Sequence, residues 1–280
     1  VHLTYPGEYD VMGASLFGLP MVNIGFNEHL AWSHTVSVAA RFSFYELTVN
    51  PQNPLQYKYG INTNGDPVWR DISVEPVSIQ VQQADGSLTT LTHTFYRSHH
   101  GFIMNLAPII DIPIVNQLLG EWPMRTGTLL TMRDANQENY RGLAQWLEMG
   151  KAKTLDEFTE ALTAIGIPWV NTIAVDRNGT AYYGDISAVP HIDSEKFRRC
   201  NKSLIAKIIL GVSKSQIITL NGADPSCEWG NDPDAPQGSG LFGYASLPKI
   251  YRNDYVANSN DSYWLSNAHQ PLTGYPLVMG

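Results

Sequence analysis

Short apolar runs separated by glycine, proline and asparagine follow one another from the start of the chain. The first 36 residues carry three of them, over Met12–Leu16, Met21–Ile24 and Leu30–Val36. Apolar runs of this length, bounded by turn-forming residues, are typical of consecutive strands in a buried sheet rather than of one helix. We therefore predict strands here, with a tight turn over Gly25–Glu28 between two of them.

Alternation of apolar and polar positions extends this β-rich pattern along the chain. Phe42–Val49 is aromatic and β-branched with a period of two, which predicts another strand. Val77–Gln82 and Leu88–Tyr96 alternate on either side of Asp85–Gly86, and this arrangement is a strong signal for a hairpin. The apolar segment 106–119 is interrupted by prolines, and its pattern assigns it to no element.

Three segments have the spacing of helices instead. Tyr140–Met149 places its large apolar side chains on one face. A second helix is predicted to begin after Thr154, because Glu157 follows three residues later as in a capping box, and to run to Ile165. A third helical piece is predicted near Ser203–Leu210.

Two further strands, Trp169–Val175 and Thr180–Tyr183, follow the second helix and surround a turn. The rest, from about residue 186 to 250, is irregular and rich in proline, glycine and aspartate. Neither an internal repeat nor a linker divides the chain, so we predict one domain over residues 1–280.

Composition narrows the class of protein. The chain has 280 residues, of which 43% are hydrophobic and 16% are charged, as expected of a globular protein. Its net charge of -8 and the lack of a basic stripe argue against binding to nucleic acid. No run of 18 apolar residues is present, so the sequence predicts no membrane-spanning helix.

Several motifs suggest chemistry that their context disfavours. Gly238–Gly243 fits a dinucleotide-binding pattern, but the proline-rich segment before it cannot be the required strand, so we predict a loop.

His34, His99 and His100 suggest a metal site. Adjacent histidines in a strand point to opposite faces, and no carboxylate or cysteine stands at ligand spacing, so we expect no metal. A serine-hydrolase elbow is absent, and its nearest look-alike, Ser15, is interpreted as a strand residue.

Other residues have an ordinary structural interpretation as well as a functional one. Trp146 and Trp169 are, by burial habit alone, more often core residues than pocket walls. Asn258–Asp261 taken alone is typical of a solvated turn. Cys200 and Cys227 lack a second pair, which makes a zinc site improbable and leaves two alternatives open: one disulfide or two free thiols.

The order of the longer segments resembles the large chain of the penicillin acylase family of N-terminal-nucleophile hydrolases, and within it the acyl-homoserine lactone and aculeacin acylases. The resemblance covers most of the chain. It implies an α+β fold, with a four-layer αββα core of antiparallel sheets that is incomplete here. The segments that carry it are Gly18–Pro20, Asn23–Asn27, Ala31–Val36, Met132–Asn136, Ile167–Thr172, Asn258–Ser262 and Trp264–Leu265.

The family's reaction develops negative charge on a carbonyl oxygen, and preorganised donors stabilise that charge. Carried over residue by residue, the resemblance assigns these donors to the Val36 N–H and the Asn260 side chain, with Asn258 as the alternative if the register shifts by two. In penicillin acylases proper, acidic residues after the Ala-Trp motif help to bind calcium. This chain has Ser37–Arg41 at those positions, so the calcium site is not carried over. We therefore expect no cofactor.

The resemblance also implies an apolar cleft for the acyl group of a small-molecule N-acyl amide substrate. The residues at the matching positions are Leu16, Leu19, Asn23, Trp146 and Trp169.

The family's nucleophile, an N-terminal serine activated by its own α-amino group, has no counterpart in these residues. We expect it upstream of Val1, with the family's small (α) chain further upstream, and we expect the isolated polypeptide to be inactive. The resemblance also implies a periplasmic or secreted location, which favours the disulfide over two free thiols. Competing hypotheses are a catalytically silent homologue that binds acyl amides and, less consistent with the ordered segments, an all-β carbohydrate-binding protein.

Overall fold

The structure, a computed structural model, describes residues 1–104, 127–201 and 218–280. The segments 106–119 and Ser203–Leu210, considered above, lie outside the described residues. Two compact units are present. Unit 1 comprises Val1–Arg41, Ala135–Ser194 and Trp229–Gly280, and unit 2 comprises Phe42–Asp134 and Glu195–Glu228. The prediction that residues 1–280 form one family domain stays a prediction beside this division.

The strands within the described residues are numbered in chain order. They are β1 (His2–Tyr5), β2 (Tyr9–Ala14), β3 (Ile24–Phe26), β4 (Leu30–Val36), β5 (Phe42–Asn50), β6 (Asn53–Ile61), β7 (Pro67–Asp71), β8 (Ser73–Gln82), β9 (Leu88–Ser98), β10 (Gly101–Met104), β11 (Thr128–Asp134), β12 (Val170–Asp176), β13 (Ala181–Gly184), β14 (Thr219–Asn221) and β15 (Lys249–Arg252). The α-helices are α1 (Gly142–Lys151), α2 (Leu155–Leu162) and α3 (Ser194–Cys200). Short 3₁₀ turns cover Pro225–Cys227, Tyr244–Ser246, Tyr263–Leu265 and Leu277–Met279.

Unit 1 is built on a sheet with the strand order β1-β2-β3-β4-β12-β13-β15, in which every neighbouring pair is antiparallel. Its central strand β4 has the predicted bounds and pairs along its whole length with β12. Trp32 on β4 is buried against Phe158 of α2, with ring centroids 5.8 Å apart. This apolar contact between helix and sheet removes large aromatic surface from water and fixes the face of β4.

Unit 2 holds an eight-stranded sheet, with β7-β6-β5-β11-β10-β9-β8 in order and β14 beside β5. The strand predicted over Phe42–Val49 and the hairpin around Asp85–Gly86 are confirmed as β5 and as β8 with β9. β14 pairs parallel to β5, a pairing that the expectation of antiparallel sheets did not include. The α+β class with mainly antiparallel sheets is confirmed.

The predicted start of α2 is confirmed in atomic detail. Thr154 Oγ1 accepts a hydrogen bond from the Glu157 N–H at 3.1 Å, and Glu157 Oε2 accepts one from the Lys153 N–H at 2.7 Å. The helix ends at Leu162 and not at the predicted Ile165. The chain tightens there into i→i−3 hydrogen bonds, and Ile165 has a φ of 45°, which no continuing helix permits.

Two predictions near the start of the chain are wrong in detail. The turn expected over Gly25–Glu28 lies one or two residues later, because Gly25 and Phe26 belong to β3 and Asn27 Oδ1 caps the reversal by accepting from the N–H groups of His29 and Leu30. Of the apolar run Met21–Ile24 only Ile24 belongs to a strand, β3, and the three residues before it form a loop in which Val22 is fully buried. Apolar content alone does not separate a buried loop from a short strand.

Candidate active site

The two predicted oxyanion donors lie side by side in unit 1. Val36 is the last residue of β4, opposite Val170 of β12, and its N–H donates a hydrogen bond to Asn260 Oδ1 at 2.8 Å. Asn260 lies in a loop with a φ of 64°, in the left-handed region that asparagine adopts more readily than most residues. The structure therefore places the residue types and the atoms needed for an oxyanion site within hydrogen-bond reach of each other.

The side chain of Asn258, the alternative donor, is hydrogen-bonded within this loop and to β4 and β12. Its Oδ1 accepts hydrogen bonds from Thr35 Oγ1 (2.6 Å), Asn260 N (2.9 Å) and Asn171 Nδ2 (3.2 Å), and its Nδ2 donates to the Asp261 carbonyl at 3.0 Å. An amide engaged in this way orients its neighbours rather than a substrate. Asn260 therefore stays the predicted donor, since its Nδ2, unlike that of Asn258, has no hydrogen-bond partner within the described residues.

The pair as it stands is bonded to itself. The Val36 N–H is engaged by the amide oxygen of Asn260, while Asn260 Nδ2 has no hydrogen-bond partner within the described residues. A carbonyl oxygen arriving at this point can take the place of Oδ1 on the Val36 N–H, because a turn of the amide would then present Nδ2 as the second donor.

Asn171, on β12, is a residue that the sequence did not single out for a role. It is fully buried, its Nδ2 donates to the Val36 carbonyl at 3.1 Å, and its Oδ1 accepts from the Tyr183 hydroxyl at 2.7 Å. The sequence signal that could have identified Asn171 is its polar side chain within a mainly apolar strand, since a buried amide needs several hydrogen-bond partners. Asn171 fixes the end of β4, and with it the direction of the Val36 N–H.

A buried carboxylate lies directly behind the same strand end. Asp185 Oδ2 accepts from Ser37 Oγ at 2.8 Å and its Oδ1 accepts from Ser187 Oγ at 2.9 Å. Burial raises the pKa of Asp185 to about 6, and the two hydroxyl hydrogen bonds limit that rise. Ser37 also donates its N–H to the Trp169 carbonyl at 3.1 Å, so the segment after Val36 is held from two sides.

Trp146 of α1 is tied to β4 through His34. The indole Nε1–H donates to His34 Nε2 at 3.2 Å, and His34 Nδ1 lies 3.2 Å from Thr172 Oγ1. Burial lowers the pKa of His34 to about 4, although a backbone hydrogen bond at Asn171 opposes this, so the ring is neutral at neutral pH. Both ring nitrogens have partners, and the contacts give His34 a packing role.

The remaining predicted cleft residues occupy two loops. Leu16, Leu19 and Asn23 lie in the loop between β2 and β3, where Asn23 Oδ1 accepts from the Leu16 N–H at 2.7 Å and Leu16 is 62% exposed. Trp169 immediately precedes β12, is 42% exposed, and has the Arg41 guanidinium 4.9 Å from its ring centroid. Leu16 and Trp169 thus have apolar surface available for a ligand, whereas Trp146 is largely buried.

The family model for penicillin amidase matches residues 1–279 of this chain. The chain belongs to the penicillin amidase family. It is 39% identical over 280 residues to an acyl-homoserine lactone acylase, PvdQ, of Pseudomonas fluorescens, covering 99% of this chain and 32% of that protein. It is 36% identical over 281 residues to the aculeacin-A acylase of Actinoplanes utahensis, covering 100% of this chain and 32% of that protein. The chain thus spans about a third of the length of these relatives.

A solved structure agrees with this membership. The thermostable penicillin G acylase from Alcaligenes faecalis matches with a TM-score of 0.61 and 19% sequence identity over 90% of this chain and 36% of that chain. The chain therefore has the fold predicted for N-terminal-nucleophile hydrolases. The resemblance found in the sequence, which named this family, is confirmed.

Within this penicillin amidase family chain, the acyl cleft itself stays a prediction. One cavity, of about 950 Å³, is lined by residues of α1 and α2 that include Gln145 and Ala161, and by Tyr140 just before α1. A second, of about 500 Å³, lies beside the turn that joins β1 and β2. Neither contains any residue predicted for the cleft. Gly238–Gly243 is a loop, as expected, with φ values of 70° and 74° at Gly238 and Gly240.

Two structural findings bear on the remaining predictions. Cys200 and Cys227 form a disulfide with their Cα atoms 5.6 Å apart, which resolves the alternatives that the sequence left open. No helix among the described residues is long and apolar enough to cross a membrane.

Proposed function

We propose that this chain is part of the large chain of an acylase that hydrolyses the amide bond of N-acyl substrates. The single observation that carries the proposal is the contact between the Val36 N–H and the Asn260 amide in a chain of the penicillin amidase family. Amide hydrolysis requires two donors at its oxyanion site, and the Val36 N–H and the Asn260 amide can supply them once the amide turns to present Nδ2.

The proposed reaction begins with a serine hydroxyl at the new N-terminus of the processed large chain, in a segment of the same precursor outside these 280 residues. Its oxygen attacks the amide carbonyl carbon while the α-amino group takes the hydroxyl proton. The Val36 N–H and Asn260 Nδ2 hold the oxyanion that forms. The amine leaves with the proton, water then attacks the acyl-serine ester, and the carboxylic acid is released with the serine restored.

The proposed substrates are small N-acyl amides, either N-acyl-homoserine lactones or acylated antibiotics such as lipopeptides and penicillins. Two relatives, an acyl-homoserine lactone acylase and an aculeacin-A acylase, support this choice of substrates. We propose that the acyl chain lies along the exposed apolar surfaces of Leu16 and Trp169, with Leu19, Asn23 and Trp146 supporting that wall.

A periplasmic or secreted location is proposed as well. The Cys200–Cys227 disulfide supports it, since disulfides persist in oxidising compartments. The proposed partners of the chain are the segment that carries the nucleophile and the small (α) chain of the same precursor.

The experiment is a fatty-acid release assay on the full-length processed protein with long- and short-chain N-acyl-homoserine lactones. Asn260→Gly is the sharpest variant, because glycine adopts a φ of 64° without strain and removes only the amide. We expect its kcat to fall about a hundredfold or more. Asn64→Ala, which changes the same residue type in an exposed turn, serves as the matched control and should keep the wild-type rate.

Two results would contradict the proposal. An Asn260→Gly protein that releases fatty acid at the wild-type rate would remove Asn260 from the oxyanion site. A wild-type protein that binds acyl amides and returns them unchanged would favour the binding-module hypothesis.

A further inference from the structure

The histidine pair His99–His100 lies in a turn, not in a strand, and this changes what the two rings can do. The turn joins β9 to β10 in unit 2, and the imidazole centroids are 3.8 Å apart at an angle of 39°. Glu228, which directly follows the disulfide-bonded Cys227, places Oε1 2.7 Å from His99 Nε2 and 3.5 Å from His100 Nδ1. Both reasons for expecting no metal, opposed ring directions and no nearby carboxylate, are therefore removed by the structure.

The buried nitrogen of His100 is the observation that points to a ligand. His100 is 2% exposed and stacks on Tyr45, with centroids 3.8 Å apart. Its Nε2 faces the Gly222 carbonyl at 3.5 Å, an arrangement that suits a proton on Nε2 and leaves a lone pair on Nδ1. Nδ1 is buried without a hydrogen-bond partner and faces a carboxylate oxygen. A cation between Nδ1 and this oxygen would give the buried nitrogen the partner that it lacks among the described residues.

The surroundings have the form of an outer coordination shell. His99 Nδ1 is hydrogen-bonded to the Tyr57 hydroxyl, which fixes that ring and leaves Nε2 directed at Glu228. Metal-binding histidines are commonly oriented in this way through their second nitrogen. Tyr59 and Arg133 orient the carboxylate, at 3.1 Å from Oε1 and 2.9 Å from Oε2 respectively.

The two ligand separations that involve Glu228 are compatible with one ion. With metal–ligand bonds of about 2.0–2.1 Å, the separations of 2.7 Å and 3.5 Å correspond to ligand–metal–ligand angles of about 80° and about 115°. Such angles occur in four- and five-coordinate sites that keep a position for water. Imidazole and carboxylate together favour Zn²⁺ and similar transition-metal ions over Ca²⁺ or Mg²⁺.

We propose that His99 Nε2, His100 Nδ1 and Glu228 Oε1 bind one divalent transition-metal ion of the zinc class. The ion would tie the β9–β10 turn to the segment that follows Cys227, both in unit 2. The positive charge of Arg133 on Oε2 weakens the attraction of the carboxylate for a cation, so we expect micromolar rather than nanomolar affinity.

The test is zinc titration by calorimetry on the full-length protein after removal of bound metal with a chelator. We expect one Zn²⁺ per chain at this site with a Kd below about 100 µM. His100→Phe, which keeps a ring to stack on Tyr45, and Glu228→Gln, which keeps the size and removes the charge, should each weaken binding at least about tenfold. His93→Ala changes an exposed histidine of β9, outside the cluster, and should leave the Kd for zinc unchanged.

Crystallography of the wild-type protein tests the site even if the variants fail to fold. Crystals of the wild-type protein soaked in zinc should show an anomalous peak between the three named atoms. A peak elsewhere, no saturable binding, or binding that is unaltered in folded His100→Phe and Glu228→Gln proteins would overturn the proposal. These readouts require no enzymatic activity, so they are independent of the proposed acylase function.

Discussion

Asp185 has a carboxyl group that is 1% exposed behind the end of β4, and within the described residues two serine hydroxyls donate hydrogen bonds to it. Because its pKa in the folded protein is about 6, the folded protein keeps a proton on it at pH values where the unfolded chain, near the ordinary value of 3.8, has lost it. The contribution of Asp185 to the free energy of unfolding therefore decreases as the pH rises from about 4 to about 6 and levels off above that range.

Asp185→Asn should therefore stabilise the protein in a pH-dependent way. We expect the difference in free energy of unfolding between variant and wild type to grow between pH 4 and pH 6 and to reach about 3 kcal/mol above pH 6. Urea unfolding at several pH values measures it. Asp66→Asn reports the same chemical change at an exposed turn. A difference that stays constant with pH would show that Asp185 is ionised in the folded protein throughout.

At the residue scale, the catalytic roles stay predictions, while one predicted proximity can be compared with the structure. The resemblance identified Val36 and Asn260, and the structure brings them together. The sequence did not show that Asn258 is engaged by Thr35 and Asn171, because both lie more than 80 residues away from it in the chain. A single sequence does not show which of two nearby amides is already engaged by such partners.

At the scale of elements, the sequence pattern predicted those strands and helix caps whose determinants lie within the segment itself. β4 and the β8–β9 hairpin depend on apolar alternation and a two-residue turn signal, both of which lie within the segment. The turn after β3 was misplaced because Asn27 also donates its Nδ2 to the carbonyls of Gly150 and Ala152. β14 is three residues long, and its parallel partner β5 lies far along the chain.

Thr154 gives a direct measure of how much a local cap contributes. Thr154→Ala removes the hydroxyl that accepts from the Glu157 N–H and should lower the free energy of unfolding by about 1 kcal/mol. Thr154→Ser keeps the hydroxyl and should remain close to wild type. Chemical denaturation compares the three proteins, and equal stability of the alanine and serine variants would mean that the bond contributes nothing.

At the scale of the whole molecule, each unit has its own sheet, and the two proposed sites belong to different units. Val36, Asn260 and the predicted cleft residues all lie in unit 1, while the disulfide and the His99–His100–Glu228 cluster lie in unit 2. Fold and family were predictable because the resemblance extends along the chain. The cluster was not, since residues 99 and 228 meet only through the β9–β10 turn and the segment after Cys227.

The Cys200–Cys227 cross-link is the covalent constraint of unit 2 and its contribution to stability can be isolated. It closes a loop with a sequence separation of 27, for which the chain-entropy relation gives a stabilisation of about 3.5 kcal/mol. We expect reduction of the wild type, and the Cys200→Ala/Cys227→Ala variant, to lower the free energy of unfolding by similar amounts near that value. Denaturation in the presence and absence of a reductant measures both. Reduction leaves both sulfurs in place, so a loss seen only in the alanine variant would assign the effect to sulfur packing in the buried site and not to the cross-link.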